Sequence, residues 1–146
     1  MRLLRKLFGK EPVTVDLSLH SGTFITELAD ASNLVDGSPT WEHAEQGKHD
    51  LQTMLRCCTA ELETMMRTGF VAAPYYFERA AILLRKEKDF DQEILICEQY
   101  ITAVENHYRE KAGSGFADVR KGPRYQAIRS RLAKARILRD KHAGDA

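Results

Sequence analysis

The stretch PYYFERAAILLRKEKDFDQEILICEQYITAVENHY, residues 74–108, determines the fold that we expect for this 146-residue chain. Two apolar stripes with helical spacing lie on either side of a short charged segment. They are Phe77, Ala80, Ala81 and Leu84 in the first stripe and Phe90, Ile94, Cys97, Ile101, Val104 and Tyr108 in the second. Pro74 suits a first helical turn, and Asp89 suits the cap of the second helix. Because the connection is short, the stretch predicts two antiparallel helices.

Two further helices are predicted, one on each side of this hairpin. Residues 40–68 carry a helical apolar stripe made of Leu51, Leu55, Cys58, Leu62 and Met65. This helix begins at its first residue or, because Gly47 disfavours a helix, near Lys48, and Gly69 suits its end. A stripe within residues 123–142, after a basic glycine-containing loop, consists of Tyr125, Ile128, Leu132, Ala135 and Leu138.

The N-terminal region carries weaker patterns. Met1–Lys10 is predicted to be a short amphipathic turn packed on the domain, and the alternative is docking on a membrane surface or a partner. Val13–Leu19 alternates apolar and polar residues, as a strand does. Since a lone strand is unstable, this segment pairs with a less regular one, self-associates with a second chain or runs extended over the helices. The apolar residues of residues 21–35 have helical spacing, which predicts a helix. Residues 36–39, Asp-Gly-Ser-Pro, interrupt the regular secondary structure.

Together these patterns predict an all-α fold: a single domain over residues 1–146, built as a small bundle of four to five helices around the hairpin. Residues 1–20 form a basic and extended N-terminal segment, and residues 40–142 form the helical core. An apolar fraction of 43% is enough for one core. No apolar run approaches the roughly 20 residues of a transmembrane helix, and the first ten residues are too charged for a signal peptide.

Residues 77–101, FERAAILLRKEKDFDQEILICEQYI, resemble a single, degenerate tetratricopeptide repeat. Phe77 stands at the first aromatic position of that motif, and residues 89–91, Asp-Phe-Asp, stand at its turn. Glu93 and Tyr100 replace alanines of the motif. The neighbouring helices show no second copy, so the chain is not a repeat array. The resemblance implies a protein-interaction scaffold whose hairpin is covered by neighbouring helices.

Charge is strongly segregated along the chain. The net charge is +4 over residues 1–10, −10 over residues 11–108 and +7 over residues 109–146. Segregation of this size predicts either an internal electrostatic match or a basic face for an anionic partner.

The sequence contains no motif that marks an active site, so we expect a protein that is not an enzyme and needs no cofactor. Glu42, Glu45 and His49 fall on one face of the predicted helix, but a solvated face accounts for them better than a metal site. Cys58 and Cys97 lie on apolar stripes and are expected in the core. Three cysteines, two of them adjacent, are not a disulfide framework, which indicates a reducing, cytoplasmic location.

Two groups of residues are candidate contacts with a partner. Tyr75 and Tyr76 precede Phe77, and three consecutive aromatic residues cannot all face one core, so at least one tyrosine is expected to be exposed. Tyr76 has the alternative of packing under the preceding loop. The second group is the basic residues Arg120, Lys121, Arg124, Arg129, Arg131 and Arg136. Arginine pairs with phosphate and carboxylate alike, so these residues contact a partner or bridge to acids of the hairpin.

These observations favour a non-enzymatic protein–protein interaction module, an adaptor or small inhibitor that occupies a surface of a larger protein. The alternative is a nucleic-acid accessory protein that uses the segregated charge. The basic termini support nucleic-acid binding, and the acidic centre supports nucleic-acid mimicry.

Overall fold

The structure, a computed structural model, describes residues 2–5, 12–15, 34–110 and 117–145. Within these ranges it contains five α-helices, two short antiparallel β-hairpins and one turn of 3₁₀-helix at Val119–Lys121. The strands are β1 (Arg2–Arg5), β2 (Pro12–Val15), β3 (Leu34–Val35) and β4 (Ser38–Pro39), and the helices are α1 (Thr40–Gln46), α2 (Leu51–Thr68), α3 (Pro74–Lys86), α4 (Phe90–Glu110) and α5 (Pro123–Gly144). The predicted all-α bundle is confirmed.

Helices α3 and α4 form the antiparallel hairpin that the sequence predicts. Pro74 occupies the first turn of α3, and the Asp89 carboxylate accepts a hydrogen bond from the backbone N–H of Gln92 at 3.2 Å. Lys88 takes a left-handed conformation with a φ of 59°. The chain therefore reverses direction within the three residues that separate the helices.

The core lies between this hairpin and its neighbours α2 and α5. The rings of Phe77 and Tyr100 pack with their centroids 4.5 Å apart, and the Tyr100 ring lies 6.3 Å from that of Tyr125 in α5. The buried Tyr100 hydroxyl donates a hydrogen bond to the carbonyl oxygen of Ala72 at 2.8 Å. Tyr100 thus fills the core and ties α4 to the loop before α3.

Residues 40–68, predicted as one helix with two alternative starting points, form two helices. Helix α1 ends at Gln46, residues 47–49 form a turn, and α2 begins at Leu51, because Gly47 has little helix propensity. Gly69 ends α2 as predicted: its φ is 74°, and its N–H donates to the carbonyl oxygen of Met65 at 2.8 Å.

Residues 34–39 form the hairpin of β3 and β4. Asp36 and Gly37 have φ values of 52° and 81°, the positive angles that a two-residue turn between antiparallel strands requires. The helix predicted over residues 21–35 is therefore wrong at its last two residues, and residues 21–33 lie outside the described part of the chain. Val35 is buried where β3 meets α2.

Strands β1 and β2 pair antiparallel, with Arg2 opposite Val15 and Arg5 opposite Pro12. The amphipathic turn predicted over Met1–Lys10 is wrong at residues 2–5, which are extended. The extended segment expected near the N-terminus is present at β2 and pairs with a less regular segment. The rest of Val13–Leu19 lies outside the described residues, so self-association through it stays a prediction.

Helix α5 closes the bundle by packing against both α3 and α4. It buries Tyr125, Ile128 and Ala135, three residues of the predicted stripe. Its far end lies beside the start of α4, where the rings of Phe90 and His142 are 5.9 Å apart, so the two helices are antiparallel. None of the helices in the described ranges has both the length and the apolar character needed to cross a membrane.

Candidate functional site

Helices α4 and α5 lie side by side and carry opposite charge. Among the Asp, Glu, Lys and Arg residues, α4 has five acids and one base, whereas α5 has seven bases and one acid. Arg136 Nη2 lies 2.8 Å from Glu98 Oε1, and Arg131 Nη1 lies 3.4 Å from Glu93 Oε1. Part of the segregated charge is therefore an internal electrostatic match.

Glu93 is the centre of this match. Its side chain is fully buried, and its Oε2 accepts a hydrogen bond from Arg85 Nε at 3.1 Å. Arg85 Nη2 lies 2.8 Å from Glu93 Oε1 and also donates to the carbonyl oxygen of Arg131 at 3.0 Å. A buried carboxylate needs such partners to offset its loss of hydration. Glu93 thus joins α3, α4 and α5.

Arg120 and Lys121 lie on the 3₁₀ turn before α5. Arg120 Nη2 is 2.7 Å from Asp118 Oδ2, its Nη1 is 3.3 Å from Glu105 Oε2, and its guanidinium lies 4.5 Å from the centroid of the Tyr108 ring. Lys121 is exposed. Arg120 is therefore engaged within the fold, whereas the Lys121 ammonium faces solvent.

The Tyr125 hydroxyl donates a hydrogen bond to Glu105 Oε1 at 2.6 Å. This bond and the nearby Arg120 guanidinium hold the pKa of Glu105 below its ordinary value. Burial raises the pKa of Tyr125 to about 12, so its hydroxyl stays protonated near neutral pH. The pair holds the start of α5 against α4.

The two tyrosines at the start of α3 differ in exposure. Tyr76 is 4% exposed and belongs to the core, so its side chain offers no surface to a partner. Tyr75 is partly exposed; its hydroxyl donates to the carbonyl oxygen of Ala44 in α1 at 2.5 Å. The Arg124 guanidinium carbon lies 4.9 Å from the centroid of the Tyr75 ring, so these two predicted contact residues are stacked.

Two further contacts fix the side chains around this stack. Arg124 Nη1 is 2.7 Å from Glu78 Oε2, and half of the Arg124 side chain remains exposed. Arg79 follows Tyr75 by one helical turn and donates from Nε and Nη2 to the carbonyl oxygen of Lys48, at 3.1 and 2.6 Å. The surface around Tyr75 is thus built from α3, α5 and the turn between α1 and α2.

We call this surface the α3–α5 face. Its members are Tyr75, Glu78, Arg79, Ile82 and Lys86 of α3 and Arg124, Arg131 and Lys134 of α5, all partly or fully exposed. On α3 successive members are at most four residues apart, and on α5 they are seven and three residues apart, which places them on one side of each helix. Among the contacts predicted from the sequence, the structure brings Tyr75, Arg124 and Arg131 together here. Arg129 and Arg136 lie on the other side of α5.

Arg79 and Lys86 are not among the contacts predicted from the sequence. They follow Tyr75 by four and eleven residues, with Ile82 between them. That spacing marks the helix side opposite the Phe77 stripe and is visible in the sequence. What the sequence does not reveal is that α5 lies beside this side of α3.

A second open surface is a groove of about 790 Å³ between α2 and α4. Its apolar lining includes Leu62, Met65, Met66, Leu95 and Ala103. Met66 is 73% exposed and Leu95 is 49% exposed. Leu62 and Met65 belong to the predicted apolar stripe of α2 and are only partly buried because they line this groove.

All three cysteines are buried and unpaired. Burial raises the pKa of Cys57 to about 11, raises the pKa of Cys97 to about 12 and raises that of Cys58 well above its ordinary value. Since the thiolate is the reactive form, these thiols are poor nucleophiles in the folded chain. The core positions predicted for Cys58 and Cys97 are confirmed.

The helical face predicted to carry Glu42, Glu45 and His49 does not exist, because α1 ends at Gln46 and His49 lies in the turn beyond it. Glu45 instead forms an ion pair with Lys48 at 2.6 Å. Within the described ranges, no group of three or more His, Cys, Asp or Glu side chains is placed to hold a metal ion.

Comparison with protein-family models, with curated proteins and with solved structures finds no match to this chain.

Proposed function

We propose that the chain is a protein–protein interaction module, an adaptor or small inhibitor that binds a larger protein through the α3–α5 face. The observation that carries this proposal is the stacking of the half-exposed Arg124 guanidinium on the Tyr75 ring. Tyrosine and arginine are enriched where proteins bind each other. Both combine a large contact area with directed hydrogen bonds.

The hairpin of α3 and α4 is proposed to be a single tetratricopeptide-like unit within this module. The proposal is supported by α2 and α5, which both pack against α3, since an isolated hairpin of the repeat type needs neighbours to bury its faces. This packing leaves the side of α3 that carries Tyr75, Arg79 and Lys86 open to a partner.

A non-enzymatic role in the cytoplasm is part of the same proposal. The raised pKa values of Cys57 and Cys97 support the first point, because they leave little thiolate to act as a nucleophile. The three unpaired cysteines support a reducing compartment.

Photo-cross-linking in the source cells tests the proposal. A photoreactive amino acid replaces Tyr75 or Ile82, and at a control site it replaces Arg129, which is exposed on the other side of α5. We expect both positions on the α3–α5 face to cross-link the same protein. The additional substitution Arg124→Ala should lower the yield of that cross-linked product. A product of equal yield from position 129, or no product from positions 75 and 82, overturns the proposal.

The second candidate function is nucleic-acid binding. It is supported by Arg129, Lys134 and Lys141, which are exposed on α5 and form no ion pair with any residue in the described part of the chain. Fluorescence anisotropy with labelled duplex and single-stranded DNA tests it, because binding to phosphates weakens steeply as salt increases. Absence of salt-dependent binding at low ionic strength excludes this function.

A further inference from the structure

We propose that the partner segment bound by the α3–α5 face is acidic: a short stretch of Asp and Glu residues that flank an apolar side chain. This inference rests on the proposed function, because it specifies the chemistry of the partner at the same face. The basic residues of the face are Arg79, Lys86, Arg124, Arg131 and Lys134. Among the described residues, the acids within the face are Glu78 and, beneath the surface, the buried Glu93. The face therefore carries a net positive charge that complements an acidic segment.

Arg124 is held in position to receive a carboxylate. Its Nη1 is bonded to Glu78, whereas its Nε and Nη2 form no hydrogen bond within the described residues. A guanidinium can hold a carboxylate with two parallel hydrogen bonds. Because Tyr75 and Glu78 already restrict the side chain, binding costs Arg124 little conformational entropy.

The part of the face between Tyr75 and Ile82 is suited to an apolar side chain. Tyr75 and Ile82 lie two helical turns apart on α3, and both are partly exposed. Lys86 and Lys134 are exposed beyond them, towards the C-terminal half of α3. A segment with an apolar residue between carboxylates can therefore place each group against a side chain of matching chemistry.

The dimensions and charges of the face favour an acidic peptide over a nucleic acid. From Tyr75 to Lys86 the face extends about 16 Å along α3, whereas duplex DNA carries a charge about every 1.7 Å over a much longer track. Glu78 lies within the face, and α1, which contacts Tyr75 through Ala44, exposes Glu42 and Glu45. The evenly spaced phosphates of a nucleic acid lie against these acids and are repelled by them. A peptide can place its few carboxylates away from the three acids.

Fluorescence anisotropy tests the inference with a labelled 12-residue peptide that has a central leucine flanked by Asp and Glu. The comparison probes are the same peptide with Asn and Gln in place of the acids and a single-stranded DNA of equal net charge. We expect salt-dependent binding of the acidic peptide alone. Arg124→Ala is expected to weaken it about tenfold, an effect of the size seen when an arginine that contributes to binding is removed from an interface.

Lys134→Glu and Arg129→Glu form a matched pair of variants. Both residues are exposed on α5 and form no ion pair with another described residue. Both substitutions change the net charge equally, but only Lys134 belongs to the α3–α5 face. We expect the affinity of the acidic peptide for K134E to be several-fold lower than for the wild type. Its affinity for R129E should stay within about twofold of the wild-type value, since a local contact matters more than net charge. Circular dichroism of each variant checks that the fold is retained.

Three results overturn the inference: no binding of the acidic peptide at low salt, equal weakening by K134E and R129E, or tighter binding of the DNA than of the peptide. The last result points to nucleic acid as the ligand. A partner that cross-links at positions 75 and 82 while the acidic peptide fails to bind leaves the proposed function standing and removes only the acidic chemistry. Failure of cross-linking at both positions removes the proposed function itself.

Discussion

Glu93 of α4 and Arg131 of α5 are 38 residues apart in the sequence, and their side chains lie within 3.4 Å of each other beneath the α3–α5 face. Arg85 of α3 completes the cluster. Removing one partner of a buried ion pair leaves the others without compensation. We therefore expect Glu93→Gln to lower the free energy of unfolding by about 3 kcal/mol. Urea denaturation followed by circular dichroism measures this loss.

Glu98→Gln is the control for that experiment. It removes the same charge from the same helix, but the Glu98–Arg136 pair is largely solvated. Exposed pairs contribute less than about 1 kcal/mol, so the loss for E98Q should be small. Equal losses for the two variants would mean that Glu93 contributes through its charge in general and not through the cluster.

Local patterns in the sequence predict the hairpin well, because its determinants lie within a few residues of each other. Pro74 sets the start of α3, and Asp89 caps α4 through the N–H of Gln92. Gly47 indicates that the helical pattern of residues 40–68 is weak at its start, but the sequence does not predict that residues 40–46 form a separate helix. The sequence predicts a break over residues 36–39 but not the hairpin there, because the strands beside the Asp36-Gly37 turn are only two residues long and have no pattern of their own.

The candidate face is harder to predict, because it depends on contacts between distant segments. The sequence indicates that Tyr75 or Tyr76 must be exposed, but only the position of α5 shows that Tyr75 stacks with Arg124 while Tyr76 is buried. Glu93 stands out in the sequence as a departure from the repeat motif. Its role follows from Arg131, which no local pattern connects to it.

Replacing Gly37 with alanine is expected to lower the stability of the fold. Its φ is 81°, and a Cβ built there has no neighbour within 4 Å, so the whole cost of Gly37→Ala is the left-handed backbone. That cost is about 1 kcal/mol, measured as a lower midpoint of thermal unfolding. Gly144→Ala is the control: its Cβ also has free space, but it lies in helix α5, where alanine is favoured. A stability loss for G144A as large as that for G37A would contradict the backbone explanation.

The bond between Tyr125 and Glu105 predicts a pH dependence with a defined sign. The pKa of Glu105 is lowered in the folded chain, first by the Tyr125 hydroxyl and then by Arg120. A carboxyl group with a lowered folded pKa contributes stability above its unfolded pKa of about 4.3 and loses it as the pH falls through the folded value. We expect Tyr125→Phe to raise the pKa of Glu105 towards its ordinary value, measured by NMR titration of the side-chain carboxyl carbon.

Tyr75→Phe is the matched control for this titration. It also removes one tyrosine hydroxyl, but that hydroxyl donates to the carbonyl oxygen of Ala44 and not to a carboxylate. The pKa of Glu105 should be the same in Y75F as in the wild type. An unchanged pKa in Y125F would show that the nearby arginines, Arg120 and Arg129, lower it without the tyrosine.

The three cysteines are expected to be unreactive in the folded chain and fully reactive in the unfolded chain. Cys57, Cys58 and Cys97 are buried, and the pKa of Cys57 is raised to about 11 and that of Cys97 to about 12. Thiolate at pH 8 is therefore scarce, and reagent access is blocked as well. Titration with a chromogenic disulfide reagent should detect no thiol within minutes in buffer and all three in guanidinium chloride.

Ser130→Cys, at an exposed position of α5, supplies the positive control, because its thiol should react at once in the native protein. Rapid reaction of a native thiol in the wild type would show that the core around α2 and α4 opens on that timescale.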